Sequence, residues 1–243
     1  MEEIVVNKHK FNILSIDIGI KNLGFAILSF DKLGKKKIED FSVMFDIFDI
    51  SKHLKKKGDI VNCRCEALIT WLHELKDTYT DFKTVIIERQ VNRNTMAMEL
   101  MYALVMGLRI INPVADIIIF DPKDKFLKLG LEYSTQSKSH KKQSTRYAKT
   151  LIHTFWSCHD QYFDDFDKKD DVSDAINQAL VWLLSNGILS YSVEEYVSII
   201  QGMSVKQITM TEQTISSPPT RHIAKRRTRR IEPEMYLNDI TDE

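Results

Sequence analysis

The sequence predicts an α/β fold with a mixed five-stranded sheet flanked by helices, on the strength of three observations. Two apolar runs rich in β-branched residues, 13–18 and 23–30, flank a short polar turn and predict a buried β-hairpin. Alternating apolar residues over 38–50 predict a third strand, and therefore an antiparallel meander. A strand–helix–strand pattern over 82–120 predicts two parallel strands, because parallel neighbours need a crossover connection.

Apolar residues recur at helical spacing in four other stretches. The second of these helices is apolar around most of its circumference, which predicts burial in the core or in a subunit interface. Long polar loops are predicted over 121–143, rich in Lys and Ser, and over the acidic residues 160–171. The predicted helices cover 59–76, 95–111, a segment that begins near Ser139, and 171–186.

The chain of 243 residues is predicted to form one domain over 1–200 and a poorly ordered tail over 201–243. The tail is rich in Ser and Thr and contains a basic cluster over 221–230. Such a cluster can act in nuclear import or contact nucleic acid, although solvated charge runs are common. These interpretations remain alternatives.

Composition excludes several classes of protein. The formal net charge is zero and the sequence pI is about 7.1, so any surface for nucleic acid must be a local patch. Three cysteines form no disulfide framework, which fits a reducing compartment. Cys63 and Cys65 lie two apart on a predicted helix and point in different directions, so a shared zinc ion is not expected. The N-terminus is acidic and no apolar run could cross a bilayer, so we expect a soluble intracellular protein without a membrane partner.

Asp17 is the first candidate for chemistry, because it stands inside the apolar run 13–18. An ionised carboxylate in a core strand costs several kcal/mol unless it has a partner, a metal or access to solvent. The alternative is that Asp17 caps the following turn by accepting hydrogen bonds from backbone N–H groups.

Three further acids stand at the ends of predicted elements. Glu88 ends the fourth strand, and Asp171 and Asp174 lie three residues apart in the first turn of the last helix, on one face. That pair could simply cap the helix and interact with its dipole. Packing alone, however, gives no reason for so many strong elements to end in an acid.

Carboxylates gathered at one point repel one another unless cations neutralise them. Oxygen ligands without cysteine or histidine favour Mg²⁺ or Mn²⁺. Two divalent ions bridged by carboxylates can position a water and stabilise the leaving oxygen of a phosphodiester. The sequence therefore predicts a metal-dependent enzyme of phosphoryl transfer.

Three motifs, in this order and spacing, resemble those of RuvC-type Holliday junction resolvases. The similarity is strongest to the branch from poxviruses and other large DNA viruses, with the mitochondrial resolvases as relatives, and it covers residues 12–187. The motifs read Ile16-Asp17-Ile18-Gly19 with Asn22-Leu23-Gly24-Phe25-Ala26, then Ile86-Ile87-Glu88-Arg89-Gln90, then Lys169-Asp170-Asp171-Val172-Ser173-Asp174-Ala175.

The resemblance implies a ribonuclease H-like fold, a homodimer, and paired nicks across a four-way DNA junction that leave ligatable ends. It implies two Mg²⁺ ions per active site, with Mn²⁺ as a substitute, and no small-molecule cofactor. Carried over by motif, the catalytic metal ligands would be Asp17, Glu88, Asp171 and Asp174. Asp170 adjoins the last motif, but the Asp-x-x-Asp-Ala spacing favours Asp171.

The resemblance also implies a catalytic lysine in the helix after the fifth strand. Counting back from residues 148–152 places it at Lys141, with Lys142 as the alternative, and both could simply be solvated at a helix start. Basic and amide side chains in two loops are expected to contact DNA phosphates and sugars without reading sequence, unless they too are only solvated. These candidates for DNA binding are Arg89, Gln90, Asn92, Arg93, Lys138 and Lys142.

Two other functions compete with a resolvase. A sugar kinase or actin-like ATPase also begins with an Asp-x-Gly hairpin, but it needs a second similar domain, and this chain has only eight glycines. A catalytically inactive DNA-binding factor is the other candidate, although a pure binder has no use for an acidic pocket facing phosphates. If the protein is viral, we expect it in the host cytoplasm or nucleus.

Overall fold

The computed structural model describes residues 11–31, 34–53, 61–79, 82–91, 93–133 and 137–202. The predicted tail beyond Gly202, including the basic cluster 221–230, lies outside the described residues. Asn92 and the side chain of Lys138 also lie outside them. No helix of the described segments is both long and apolar enough to cross a membrane.

The sheet has five strands in the order β3-β2-β1-β4-β5. β1 pairs antiparallel with β2, and β2 with β3, whereas β1–β4 and β4–β5 are parallel pairs. The predicted mixed sheet, a meander followed by parallel strands, is confirmed. The strands are β1 (Phe11–Ile18), β2 (Asn22–Phe30), β3 (Ser42–Asp49), β4 (Phe82–Glu88) and β5 (Asp116–Phe120).

Helices cover both faces of the sheet, and seven of those in the described part of the chain are α-helices. Three of them are short and were not predicted: α3, α5 and α7. The helices are α1 (Val61–Thr78), α2 (Thr95–Ile111), α3 (Asp124–Leu127), α4 (Ser137–Phe155), α5 (Asp160–Asp164), α6 (Lys169–Ser185) and α7 (Val193–Ile200).

Two hydrophobic cores form, one on each face of the sheet, because successive side chains of a strand point to opposite faces. Leu14 and Ile16 of β1 pack into the core under α1 and α2, together with Trp71. Ile13 packs into the core under α4 and α6. Ser15 has the same orientation as Ile13, since its hydroxyl accepts a hydrogen bond from Gln178 of α6. Odd-numbered residues of β1 therefore face α6.

The predicted loop over 121–143 is wrong in part, because it contains α3. Phe126 and Leu129 are 3% and 5% exposed and fill the core under α6. Apolar residues in this segment are too few to give a helical pattern, but the burial of Phe126 and Leu129 stabilises one turn. In the same way, burial of Phe163 anchors α5 inside the acidic segment that was predicted as a loop.

Candidate active site

Asp17 and Glu88 lie side by side at one edge of the sheet. Ile16 of β1 pairs with Ile87 of β4 in a parallel register, so Asp17 and Glu88 are the next residues of two neighbouring strands. Both acids lie on the face of the sheet that α6 covers. Side chains two residues apart on a strand point to the same face, and Ser15 and Ile86, two residues earlier, contact the helices on that side. Two acids that are 71 positions apart in the chain thus meet beneath the start of α6.

The N-terminus of α6 approaches the sheet at Gly24, which pairs with Asp17 across the hairpin. A Cβ atom at position 24 would lie 2.3 Å from the carbonyl oxygen of Asp171 and 2.9 Å from the backbone nitrogen of Val172. Only glycine allows this close approach. Gly24 therefore brings Asp171 next to Asp17, and Asp174 follows one helical turn later.

A buried amide fixes the helix on the strands. Nε2 of Gln178 lies 3.2 Å from Oγ of Ser15 and 3.2 Å from the carbonyl oxygen of Ile86, and Gln178 is 0% exposed. These partners lie two residues before Asp17 and Glu88, while Gln178 lies one turn after Asp174. The amide thus sets the position of α6 relative to the acids of both strands.

Burial and mutual repulsion perturb the carboxylates. Burial raises the pKa of Asp17 well above its ordinary value, and the charges of Glu88 and Asp174 raise it further. Burial also raises the pKa of Glu88, although Lys125 opposes that shift. Burial and the neighbouring Asp170 raise the pKa of Asp171 to about 6. Such shifts, caused first by burial, mark a candidate functional site.

Lys125 supplies one positive charge, and the sequence analysis missed it. Its Nζ donates to Oε2 of Glu88 at 2.6 Å and lies 2.9 Å from Oδ1 of Asp174, and its side chain is only 5% exposed. Burial opposes the charge, but Glu88, Asp174 and Asp17 together raise the pKa of this ammonium above its ordinary value. A buried ammonium between two carboxylates is a functional candidate.

The predicted catalytic lysine, Lys141, lies at the rim of the site. Its Nζ is paired with the carboxylate of Asp170, and its side chain is 59% exposed. The hydrogen bond to Asp170 raises the pKa of Lys141. Lys141 thus pairs with Asp170, which is not one of the predicted metal ligands. Lys125, in contrast, contacts two of those ligands directly.

Two of the remaining candidates for DNA binding, Arg89 and Gln90, directly follow Glu88 in the chain. Arg89 is exposed, and its Nη1 lies 3.9 Å from Oδ2 of Asp121. Gln90 turns back, with Nε2 3.4 Å from the carbonyl oxygen of Glu88. Arg93 and Lys142 are exposed to solvent. Their role in contacting DNA remains a prediction.

The chemistry of the four acids, rather than their present spacing, suits a hard divalent cation. Within the segments that the structure describes, no three carboxylate, imidazole or thiol side chains are grouped so that they could hold a metal ion. The ammonium of Lys125 lies between Glu88 and Asp174 instead. The four acids, Asp17, Glu88, Asp171 and Asp174, nevertheless offer only oxygen ligands. Mg²⁺ or Mn²⁺ suits such ligands.

Comparison with known proteins places this arrangement in a recognised class. The Thermus thermophilus RuvC structure matches with a TM-score of 0.51 at 12% identity, over 73% of this chain and 98% of that one, so the two share a fold. The class is therefore that of proteins with the RuvC fold, a mixed five-stranded sheet flanked by helices. The chain belongs to the family described as Poxvirus A22 protein, which matches residues 12–186. The relationship inferred from the three motifs is confirmed.

Two further relatives come from large DNA viruses. The uncharacterized protein 97L of Invertebrate iridescent virus 3 is 25% identical over 198 residues, which are 68% of this chain and 95% of that protein. The fowlpox virus resolvase, whose structure contains its substrate Holliday junction DNA, is 20% identical, with a TM-score of 0.49 over 71% of this chain and 99% of that one.

Proposed function

We propose that this protein is a structure-specific endonuclease that resolves four-way DNA junctions by metal-dependent hydrolysis of phosphodiester bonds. It would act on intermediates of recombination and replication. The observation that carries the proposal is the meeting of Asp17, Glu88, Asp171 and Asp174 at one edge of the sheet, around the buried Lys125. Family membership and the resolvase motifs support a branched substrate.

In this mechanism, Asp17, Glu88, Asp171 and Asp174 would hold two Mg²⁺ ions. Such ions supply a nucleophilic water and stabilise the leaving oxygen. The chain itself fixes the acids, since Asp17 and Glu88 are set by the sheet and the other two by Gly24 and Gln178. Lys125 limits repulsion between Glu88 and Asp174 and offers an ammonium to a phosphate oxygen.

Contacts to the sugar-phosphate backbone would supply affinity without sequence readout. Exposed cations are present at Arg89, Arg93, Lys141 and Lys142; Arg89 directly follows Glu88 and Lys141 is paired with Asp170. The predicted contacts by Asn92 and Lys138 belong to the same proposal. Because the formal net charge of the chain is zero, attraction to DNA must come from local groups of basic residues such as this one.

The test of this function is cleavage of synthetic DNA in the presence of Mg²⁺. We expect symmetric, paired nicks in a four-way junction and little cutting of a linear duplex or a fork of the same sequence. Equal cutting of all three substrates would leave a nuclease without the specificity of a resolvase. Junction binding without any cutting in Mg²⁺ or Mn²⁺ would favour the inactive DNA-binding factor.

Paired nicks require two active sites, and α2 offers a surface for a homodimer. Its inner face is buried, but apolar side chains also line its outer face at spacings of four residues, which is a stripe that favours helix packing. The exposed members are Tyr102 at 57%, Met106 at 61% and Ile110 at 76%.

A charge in this stripe should separate the dimer. We expect Met106→Glu to sediment as a monomer at micromolar concentration while the wild type sediments as a dimer, because a buried unpaired carboxylate opposes association. Val193→Glu puts the same charge on an exposed apolar residue of α7 and should leave the dimer intact. A monomeric wild type would refute this part of the proposal.

A further inference from the structure

A chain of buried hydrogen bonds ends on Asp174. Oγ of Ser144, on α4, donates to Oδ1 of Asp174 at 2.7 Å. Nδ2 of Asn177, on α6, donates to Oγ of Ser144 at 2.8 Å and to the carbonyl oxygen of Ser144 at 2.9 Å. Ser144 and Asn177 are 2% and 6% exposed. Buried polar groups joined in this way hold one another in fixed orientations.

The direction of these hydrogen bonds follows from which groups carry hydrogen atoms to donate. The carbonyl oxygen of Ser144 can only accept, so the amide of Asn177 must turn its NH₂ group towards residue 144. The hydroxyl of Ser144 then accepts from Asn177 and has a single hydrogen left to donate. That hydrogen goes to Asp174.

Both donors of the site converge on one oxygen of this carboxylate. Oδ1 of Asp174 receives Ser144 at 2.7 Å and Lys125 at 2.9 Å. No hydrogen bond to Oδ2 is formed within the described part of the chain, and the side chain keeps 21% of its surface exposed. The arrangement fixes the rotation of the carboxylate and leaves Oδ2 free.

We propose that Ser144 and Asn177 are positioning residues that orient Asp174 so that its Oδ2 binds a divalent cation. The proposal rests on the proposed function, since it assigns a purpose to the same acidic edge. Loss of a group that hydrogen-bonds a metal ligand without touching the metal typically weakens metal binding or activity by about 10- to 100-fold. The two residues would act only through Asp174 and would not touch DNA.

Ser144→Ala tests the proposal with Mn²⁺ as the probe. Isothermal titration of the full chain should give a dissociation constant for Mn²⁺ about tenfold or more above the wild-type value. The matched control is Thr150→Ala, because Thr150 also lies on α4 but its hydroxyl donates only to the carbonyl oxygen of Arg146, at 3.0 Å. Its affinity for Mn²⁺ should match the wild type.

Two more variants separate positioning from a general loss of structure. Ser144→Thr keeps the hydroxyl, and a cavity of about 10 Å³ beside residue 144 eases its extra methyl group, so this variant should recover Mn²⁺ affinity. Asn177→Asp keeps the shape but turns a donor into an acceptor that competes for the hydrogen of Ser144, so it should weaken Mn²⁺ binding as Ser144→Ala does. Melting temperatures measured alongside identify any variant that fails to fold.

The outcomes distinguish this inference from the proposed function. Ser144→Ala binding Mn²⁺ as well as Thr150→Ala would overturn the positioning role, even if the wild type cuts junctions. A wild type that binds Mn²⁺ but leaves junctions intact would refute the nuclease, while the comparison of variants would still decide the role of Ser144. A wild type that binds no Mn²⁺ would overturn both.

Discussion

Asp17→Asn is expected to abolish junction cleavage and, in the absence of divalent cations, to melt at a higher temperature than the wild type. Burial and the charges of Glu88 and Asp174 raise the pKa of the Asp17 carboxyl, so its ionised form is unfavourable in the folded protein. Asparagine keeps the shape and removes the charge, which relieves repulsion within the site. A residue that serves chemistry at the expense of stability behaves in this way.

The measurement pairs thermal unfolding in EDTA with a cleavage assay in Mg²⁺. For a domain of this size, each kcal/mol of relieved repulsion should raise the melting temperature by about 2–4 °C. Binding to a four-way junction should persist, because phosphate contacts do not use Asp17. Asp77→Asn is the control, since Asp77 lies exposed on α1 and should change neither property. An Asp17→Asn protein that cuts junctions at the wild-type rate would exclude Asp17 from the chemistry.

Most of the acidic edge could be predicted because strand ends are visible in the sequence. Apolar runs fix where β1 and β4 lie, and parallel pairing of strands brings their carboxyl ends to the same edge. The bounds of α2 were equally legible, since Asn94 caps its start by accepting from the backbone nitrogen of Ala97 and Pro113 follows its end. Secondary-structure elements whose local sequence pattern agrees with their tertiary packing can thus be predicted correctly.

Lys125 could not be found in that way. It belongs to α3, a single turn held by the burial of Phe126, and one turn leaves no periodic pattern. Counting from a motif instead favoured Lys141, which lies on α4 and turns to Asp170. The only signal was indirect: residues that follow β5 must emerge at the edge where Glu88 lies, since these strands are parallel neighbours.

The hydrogen-bond partners of Asp174 could not be predicted from the sequence, for a related reason. Ser144 lies 30 positions before Asp174 on a different helix, and only the packing of α4 against α6 joins them. Ser144 follows two lysines and a glutamine near the start of α4, so nothing in the sequence indicates that its side chain is buried. Contacts of this kind depend on which turns of two packed helices face each other. An amphipathic pattern predicts the buried face of a helix but not this alignment along its axis.

Lys125→Met should be the most damaging single substitution at the site. The side chain is 5% exposed and neutralises Glu88 and Asp174, so its removal leaves buried carboxylates without a counter-charge. Breaking a buried ion pair by removing one partner costs about 3–5 kcal/mol. In EDTA, we expect a fall in the melting temperature of about 2–4 °C for each kcal/mol lost. Cleavage in Mg²⁺ should fall as well, since the acids lose their fixed arrangement.

Lys141→Met is the matched comparison, because it removes the same charge from an ion pair whose lysine is 59% exposed. Exposed ion pairs contribute about 0–1 kcal/mol, so its melting temperature should stay close to that of the wild type. Added Mg²⁺ should raise the melting temperature of Lys125→Met more than that of Lys141→Met, because a divalent cation replaces the missing positive charge among the acids. If both variants lose stability equally and respond equally to Mg²⁺, Lys125 is not the internal counter-charge of the site, and repulsion between the carboxylates must be relieved by their protonation instead.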